Sequence, residues 1–271
     1  MLVRHSTDIN DTNTTRFWVD YPMVPHRDTR ADHHYGTSVL INLQLLIADN
    51  SFSVRTIQEI FSRYQIPPPL VHHLFRVSAF SLYVSDHMQP DIVLDRKFIT
   101  SACLFHDIGN IIKFDFRPGK LLEIPEAEVP KWLTVQQQFI QKYGNNENEA
   151  VSAIVAEVGL DKNVQALLCQ TGIEKVRYAL QSDDWSIKLA RIGDERISPQ
   201  GVVSVRERYA DILSRYAGRN HHLAHKEENV ERISLALKLE QQIQQKCSID
   251  LQKIHNSDIE PYIENLKEYK I

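Results

Sequence analysis

The stretch SACLFHDIGNIIKFDF, residues 101–116, places a histidine and an aspartate side by side within an otherwise apolar run. The spacing of the apolar residues predicts a buried helix, and burying a polar pair without partners is unfavourable. A fold keeps such a pair in its interior where the pair binds something. The stretch therefore predicts a binding site at His106 and Asp107, to which other parts of the chain should contribute further residues.

Helical periodicity extends from this stretch over most of the chain. Apolar residues recur at helical spacing in residues 70–88, 95–113, 131–143, 147–158 and 183–197. Few segments show the alternation of apolar and polar residues that is typical of strands. We therefore predict an all-α fold.

The chain divides into three parts by composition. Residues 1–36 are polar and without sustained periodicity, so we expect a mobile leader. Residues 37–218 should form the helical domain that carries the site. Residues 219–271 should form a C-terminal helical extension, a long charged helix followed by a closing helical pair. Its apolar residues should pack on the core or on a partner chain, and they include Ile233, Leu235, Leu237 and Leu239.

Composition and charge restrict the class of protein. At 271 residues and 42% hydrophobic content the chain can bury a sizeable core. Its 31 basic and 35 acidic residues give a net charge of −4, so a nucleic-acid polymer is not an expected partner, although a small anion can bind where charge is locally positive. The three cysteines form no CxxC pair, and no segment resembles a signal peptide or membrane span. We expect a cytoplasmic protein without a membrane partner, and homo-oligomerisation stays open.

Three of the predicted helices direct polar side chains toward the interior. In the first, His73 falls on the apolar stripe, whereas His72 lies about 100° away. In the second, His106 shares a face with apolar residues, and Asp107 lies beside it. In the last, the inner face reaches Asp194. Two imidazoles and two carboxylates therefore point toward the core.

Each of these residues alone has an ordinary structural explanation. An inward histidine is more often a hydrogen-bonded core residue than a ligand, and a helix carboxylate more often forms a salt bridge or a cap. Together they form a mixed nitrogen and oxygen donor set that suits one divalent cation, with Mn, Fe, Co, Ni, Zn and Mg as candidates. Because adjacent residues on a helix diverge, His106 and Asp107 would reach the ion from two sides of a gap between helices.

The same four residues carry a resemblance to a known family. His73 stands in HLFRV, the doublet His106-Asp107 stands in LFHDIGN, and Asp194 stands in ARIGDERISP. This succession of a histidine, a His-Asp doublet with Ile-Gly, and a distant aspartate resembles the HD-domain superfamily of metal-dependent phosphohydrolases. The resemblance covers about residues 55–217 and implies an HD-domain-like helical bundle.

The resemblance also implies a reaction and a role for individual residues. It makes the four residues the metal ligands, and a bound divalent ion would polarise a phosphoryl oxygen and lower the pKa of a water. Asp107 would contact the ion and orient or deprotonate the attacking water. Arg76, Lys113 and Arg196 would neutralise the phosphate of a small ester, for which nucleotides are the first class to test.

Two departures from the family pattern bear on this hypothesis. Many members carry a lysine directly after Ile-Gly, where this chain has Asn110 and where Lys113 is the nearest cation. Members with two metals carry further histidines before the final aspartate, but residues 108–193 contain none, and Asn148 stands where one could lie. We therefore expect a single metal. A second hypothesis also stays open, a non-catalytic or signalling HD module that binds a nucleotide without turning it over.

Other histidine groups carry less weight. His221 and His225 stand at i and i+4 in HHLAH, but the glutamate of a metallopeptidase helix is missing, so we interpret them as surface residues. His26, His33 and His34 lie in the polar leader, where histidines are usually solvated. The sequence contains no Walker loop and no Gly-x-Ser-x-Gly elbow.

Overall fold

The structure, a computed structural model, describes residues 55–116, 124–216 and 226–271. Within these ranges the chain forms eleven α-helices and one pair of two-residue strands, which confirms the all-α prediction. The antiparallel strands are β1 (Ile197–Ser198) and β2 (Gly201–Val202). The helices are, in chain order, α1 (Ile57–Arg63), α2 (Pro68–Asp86), α3 (Arg96–Phe105), α4 (Val129–Tyr143), α5 (Glu147–Val158), α6 (Lys162–Leu168), α7 (Glu174–Gln181), α8 (Trp185–Arg196), α9 (Val205–Tyr216), α10 (Lys226–Gln244) and α11 (Asn256–Lys267).

Local sequence explains where α2, α3 and α8 begin. α2 begins at Pro68, whose missing N–H is tolerated in the first turn of a helix. α3 begins after Asp95, whose carboxylate accepts the backbone N–H of Phe98. α8 begins after Asp184, whose carboxylate accepts the backbone N–H of Ser186. All three starts lie within two residues of the predicted ones.

α2 lies at the centre of the described core and packs against α3, α8 and α11. The apolar stripe predicted on it is buried, and it consists of Leu70, Val77, Phe80 and Val84. Full burial of such a side chain is worth about 1.5–3 kcal/mol. The stripe therefore fixes the rotation of α2 and, with it, the direction of every other side chain on that helix.

The predicted helix over residues 95–113 is shorter than expected, because α3 ends at Phe105. The ring Nδ1–H of His106 donates to the carbonyl of Cys103, 2.8 Å away, so a side chain occupies an acceptor of the last helical turn. The chain then turns through Gly109 into a 3-10 helix over Asn110–Lys113. A Cβ at position 109 would clash with the backbone carbonyl of Glu147, so only glycine allows α5 to approach this turn.

The C-terminal segment packs on the rest of the described chain. The sequence predicts a pair of helices after α10, but only the second of them, α11, is an α-helix. In place of the first there is a single 3-10 turn, which Asp250 caps and which ends in extended backbone at Ile254. α11 packs against α2, and α10 packs against α7, α8 and α9. The apolar residues predicted to pack from this segment lie in the main core or in a smaller cluster beside it, and they are Ile233, Leu235, Leu237 and Leu239.

Some sequence predictions fall outside the described residues. They concern the leader of residues 1–36 and the histidines His26, His33, His34, His221 and His225. Along the described parts of the chain, no helix is both long enough and apolar enough to cross a lipid bilayer.

Candidate metal centre

His73 lies on α2 and points into the interior, as its place on the apolar stripe predicts. Its side chain is 15% exposed, while the neighbouring His72 is exposed to solvent. The Nε2 atom of His73 lies 3.3 Å from Nε2 of His106. The two imidazoles, which are 33 residues apart in sequence, therefore meet edge to edge.

The end of α3 explains how two adjacent residues reach one point. Because α3 stops at Phe105, His106 caps the helix and Asp107 belongs to the following turn, so their side chains do not diverge as they would within a helix. Oδ2 of Asp107 lies 3.6 Å from Nε2 of His106. The bond from Nδ1–H to Cys103 fixes the tautomer of neutral His106 and leaves Nε2 with a lone pair for an ion.

Asp194 reaches the cluster because α8 approaches α2 very closely. A Cβ on Gly193 would lie 2.6 Å from the carbonyl oxygen of Val77 and closer still to the hydroxyl of Ser81. Only glycine permits this approach. As a result Oδ1 of Asp194 lies 3.4 Å from Nε2 of His73 and 3.6 Å from Nε2 of His106.

The four donor groups fit a single divalent ion. One nitrogen or oxygen atom from each of His73, His106, Asp107 and Asp194 lies within 4.8 Å of the others. A tetrahedron with bonds of about 2.1 Å has edges of about 3.4 Å. The five separations that involve an imidazole run from 3.3 Å between the two rings to 3.9 Å between His73 and Asp107, and the two carboxylates lie within 4.8 Å of each other. The set could therefore hold a metal ion with small adjustments.

The protonation states suit a cation. Burial alone raises the pKa of Asp194, but the charges of Arg191 and His106 outweigh it and hold the pKa well below its ordinary value. Burial likewise opposes ionisation of Asp107, yet His106 and Lys113 lower its pKa to about 2. Both side chains are therefore carboxylates at neutral pH.

The two imidazoles differ in their response to the site. Burial lowers the pKa of His73, which keeps this ring neutral and able to donate a lone pair. Burial also acts to lower the pKa of His106, but the negative charges of Asp107 and Asp194 raise it above its ordinary value. The carboxylates thus favour positive charge at the point where their oxygens and the two Nε2 atoms converge.

Two arginines form ion pairs with the carboxylate of Asp194. Nη1 of Arg191 lies 3.1 Å from one carboxylate oxygen, and Nη2 of Arg208 lies 3.3 Å from the other. Arg191 lies on α8 three residues before Asp194, so helical spacing relates the two, but the sequence offers no signal for Arg208. It belongs to α9, so no helical periodicity connects it with Asp194.

A cavity of about 1040 Å³ opens beside the donor cluster. His73, Asp107 and Asp194 all contribute to its wall. Arg76 and Lys113, which were predicted to neutralise a phosphate, also line it. Among the remaining lining residues are Asn110, Asn148, Lys175, Arg191 and Arg208.

Arg196 does not line this cavity. Its side chain is 2% exposed, and its guanidinium pairs with Glu240 at 2.6 Å and donates to the carbonyl of Leu251. The predicted contact with phosphate is not supported by this placement, and the reason is helical geometry. A residue two positions after Asp194 lies about 200° further round the helix, so it points to the opposite side.

Comparison of the chain with protein-family models, with curated proteins and with solved structures found no significant match. What the site can do therefore follows from its own chemistry. It combines a buried donor set for one divalent ion with an adjoining cavity that carries cationic side chains.

Proposed function

We propose that the protein is a metal-dependent phosphohydrolase of the HD-domain type that cleaves a small phosphate ester, with nucleotides as the first class to test. The observation that carries the proposal is the cluster of four donor groups, three of which (His73, Asp107 and Asp194) lie in the wall of a cavity lined by basic side chains. The succession of sequence motifs around the same four residues supports it further.

His73, His106, Asp107 and Asp194 would hold the ion. When bound, a divalent ion supplies Lewis acidity toward a phosphoryl oxygen and lowers the pKa of a water. The two imidazoles offer neutral donors, and the two ionised carboxylates offset the charge. The residues present therefore match the borderline metals that accept nitrogen and oxygen together.

Asp107 is the residue that we assign to the attacking water. It faces the cavity as well as the donor cluster, so its carboxylate can accept a hydrogen bond from a water in the cavity. With a pKa of about 2, it is a better hydrogen-bond acceptor than proton acceptor. Its role is then to orient the water toward the phosphorus atom.

The cavity supplies the means to bind an anion. Arg76 donates to the backbone carbonyl of Pro199 at 2.9 Å and lines the cavity one helical turn beyond His73. Lys113, which follows the His-Asp turn, also lines the cavity, and its Nζ atom lies 3.5 Å from Oε1 of Glu147. Ligand pockets for small molecules have volumes of about 300–1000 Å³, so a cavity of about 1040 Å³ is large enough for a nucleotide.

A binding module without turnover is the second candidate. The observation that favours it is Asn110, which is buried in the 3-10 turn beside the cavity where many members of the HD superfamily carry a lysine. Such a module would keep the ion and the nucleotide but would lack a cation that the reaction needs. The two candidates differ in turnover, not in ligand binding.

The test combines metal content with activity. Wild-type protein should retain about one divalent ion per chain by elemental analysis, and His106→Ala and Asp194→Ala should each lose it. His72→Ala is the matched control, because this exposed histidine is adjacent to His73 and should leave the ion in place.

The same preparations should then be tested on a panel of phosphate esters with Mn, Fe, Co, Ni, Zn and Mg. Hydrolysis by wild type that disappears in both ligand variants would support the enzyme. Tight nucleotide binding without hydrolysis under any of these metals would support the binding module. A wild-type protein that binds no metal on titration would overturn the proposal.

A further inference from the structure

Most of the cationic side chains that line the cavity are already matched by carboxylates of this chain. Arg191 and Arg208 contact Asp194, and the other matched pairs are Lys113 with Glu147, Arg215 with Asp211 and Arg232 with Glu228. A cation that is neutralised in this way has part of its charge and some of its donors engaged before any substrate arrives. Each of them therefore attracts an anion less strongly than a cation without a carboxylate partner would.

Lys175 differs from them. It lies near the start of α7, is partly buried, and lines the same cavity. Over the ranges that the structure describes, no hydrogen-bond acceptor or carboxylate lies within bonding distance of its ammonium group. This ammonium group has given up part of its hydration without gaining an acceptor from the described chain, and an anionic ligand in the cavity would supply one.

Lys175 lines the same cavity as Asp107 and Asp194, and the charges of both act on it. Burial lowers its pKa, while the negative charges of Asp107 and Asp194 oppose this effect. Arg191 and Lys113 are close enough to repel it. Lys175 is therefore within electrostatic reach of two of the four donor residues and shares the cavity wall with both.

We infer that Lys175 binds the phosphate group of the substrate, an inference that rests on the proposed function for the identity of the ligand. A phosphate in the cavity would give the ammonium group the acceptors that it lacks. A lysine presents three donors on a flexible stem and so can follow a phosphate oxygen. Together with Arg76 on α2, Lys175 on α7 would hold the anion between two helices that are far apart in sequence.

The experiment measures the affinity of the Mn²⁺-loaded protein for inorganic phosphate by titration calorimetry. Lys175→Met removes the charge and keeps most of the length, so phosphate affinity should fall by about ten- to a hundredfold, the range for losing a charged hydrogen bond. Lys175→Arg should restore part of it. The matched control is Lys253→Met, because that side chain is 81% exposed and does not line the cavity.

Metal content separates this role from a structural one. Lys175 offers no lone pair to the ion, so Lys175→Met should hold as much Mn²⁺ as wild type. If Lys175→Met precipitates, Lys175→Gln replaces it with the same expectation. Equal phosphate affinity in wild type and in the folded, metal-loaded variant would overturn the inference and leave the proposed enzyme intact.

The two proposals can fail separately. A wild type that binds phosphate through Lys175 but hydrolyses no ester would refute the enzyme and support the phosphate site. A wild type that binds no inorganic phosphate at all would overturn the assignment of Lys175.

Discussion

Gly193→Ala tests whether the close contact between α8 and α2 sets the geometry of the candidate metal centre. The added Cβ would lie 2.6 Å from the carbonyl oxygen of Val77 and 3.1 Å from its Cγ1 atom, with the hydroxyl of Ser81 also too close. Carbon atoms in contact are about 3.5 Å from their neighbours, so α8 must retreat by about 1 Å. Val77 is in the middle of α2, and its backbone cannot move aside.

The magnitude follows from two opposing effects. Alanine in place of glycine favours a helix by about 1 kcal/mol, whereas overpacking a core costs about 1–3 kcal/mol. The clash prevails because backbone atoms form part of it. Since Asp194 follows the substituted residue and His73 lies one turn before Val77, the 3.4 Å distance between their donor atoms should widen. We expect metal affinity to fall by about 10- to 100-fold, as for other changes that misplace a ligand.

The measurement is a Mn²⁺ titration followed by thermal unfolding of the metal-free protein. Gly159→Ala is the control, because its φ of +81° also disfavours alanine, by about 1 kcal/mol, but no atom lies within 4 Å of the added Cβ. The control should lose stability and keep its metal affinity. The reasoning fails if Gly193→Ala binds Mn²⁺ as tightly as wild type.

Two further predictions concern the chemistry and the support of the site. Asp107→Asn should lower turnover by about 100-fold or more, because the amide has nearly the same shape as the carboxylate but carries no negative charge. Some substrate binding should survive. A variant as active as wild type would show that the chemistry is assigned to the wrong residue. Arg196→Met should lower the free energy of unfolding by about 3–5 kcal/mol in denaturant titrations, since it leaves Glu240 buried without its partner. Lys253→Met, which removes an exposed pair with Asp250, should cost less than about 1 kcal/mol, and equal losses in both variants would contradict this reasoning.

Helical periodicity was sufficient to identify the inward direction of His73. It depends on spacing along one helix, and the apolar stripe of α2 is buried as predicted. The same reasoning failed at the end of α3, because the apolar pattern continues past His106 whereas the helical backbone ends at Phe105. A side-chain hydrogen bond to Cys103 and the approach of α5 to Gly109 end the helix there, and neither is visible in periodicity.

Residues that reach the site from later helices were beyond prediction for a different reason. Arg208 and Lys175 belong to α9 and α7, and their positions depend on how those helices pack, not on spacing from a motif. Arg196 shows the opposite error, in which closeness in sequence to Asp194 suggested closeness in space. Rotation along α8 instead directs this arginine to α10, where it forms a buried ion pair with Glu240.

The two carboxylates of the candidate centre are held in different ways. Both oxygens of Asp194 face guanidinium groups, Arg191 on one and Arg208 on the other, while Oδ1 also faces the two imidazoles. Such a carboxylate is fixed in position and has little capacity left to bind water. For Asp107, the only ion-pair partners among the described residues are the two imidazoles, both on Oδ2. Asp107 therefore keeps the capacity to accept a hydrogen bond from the cavity, which is why we propose this carboxylate, and not Asp194, as the one that orients the attacking water.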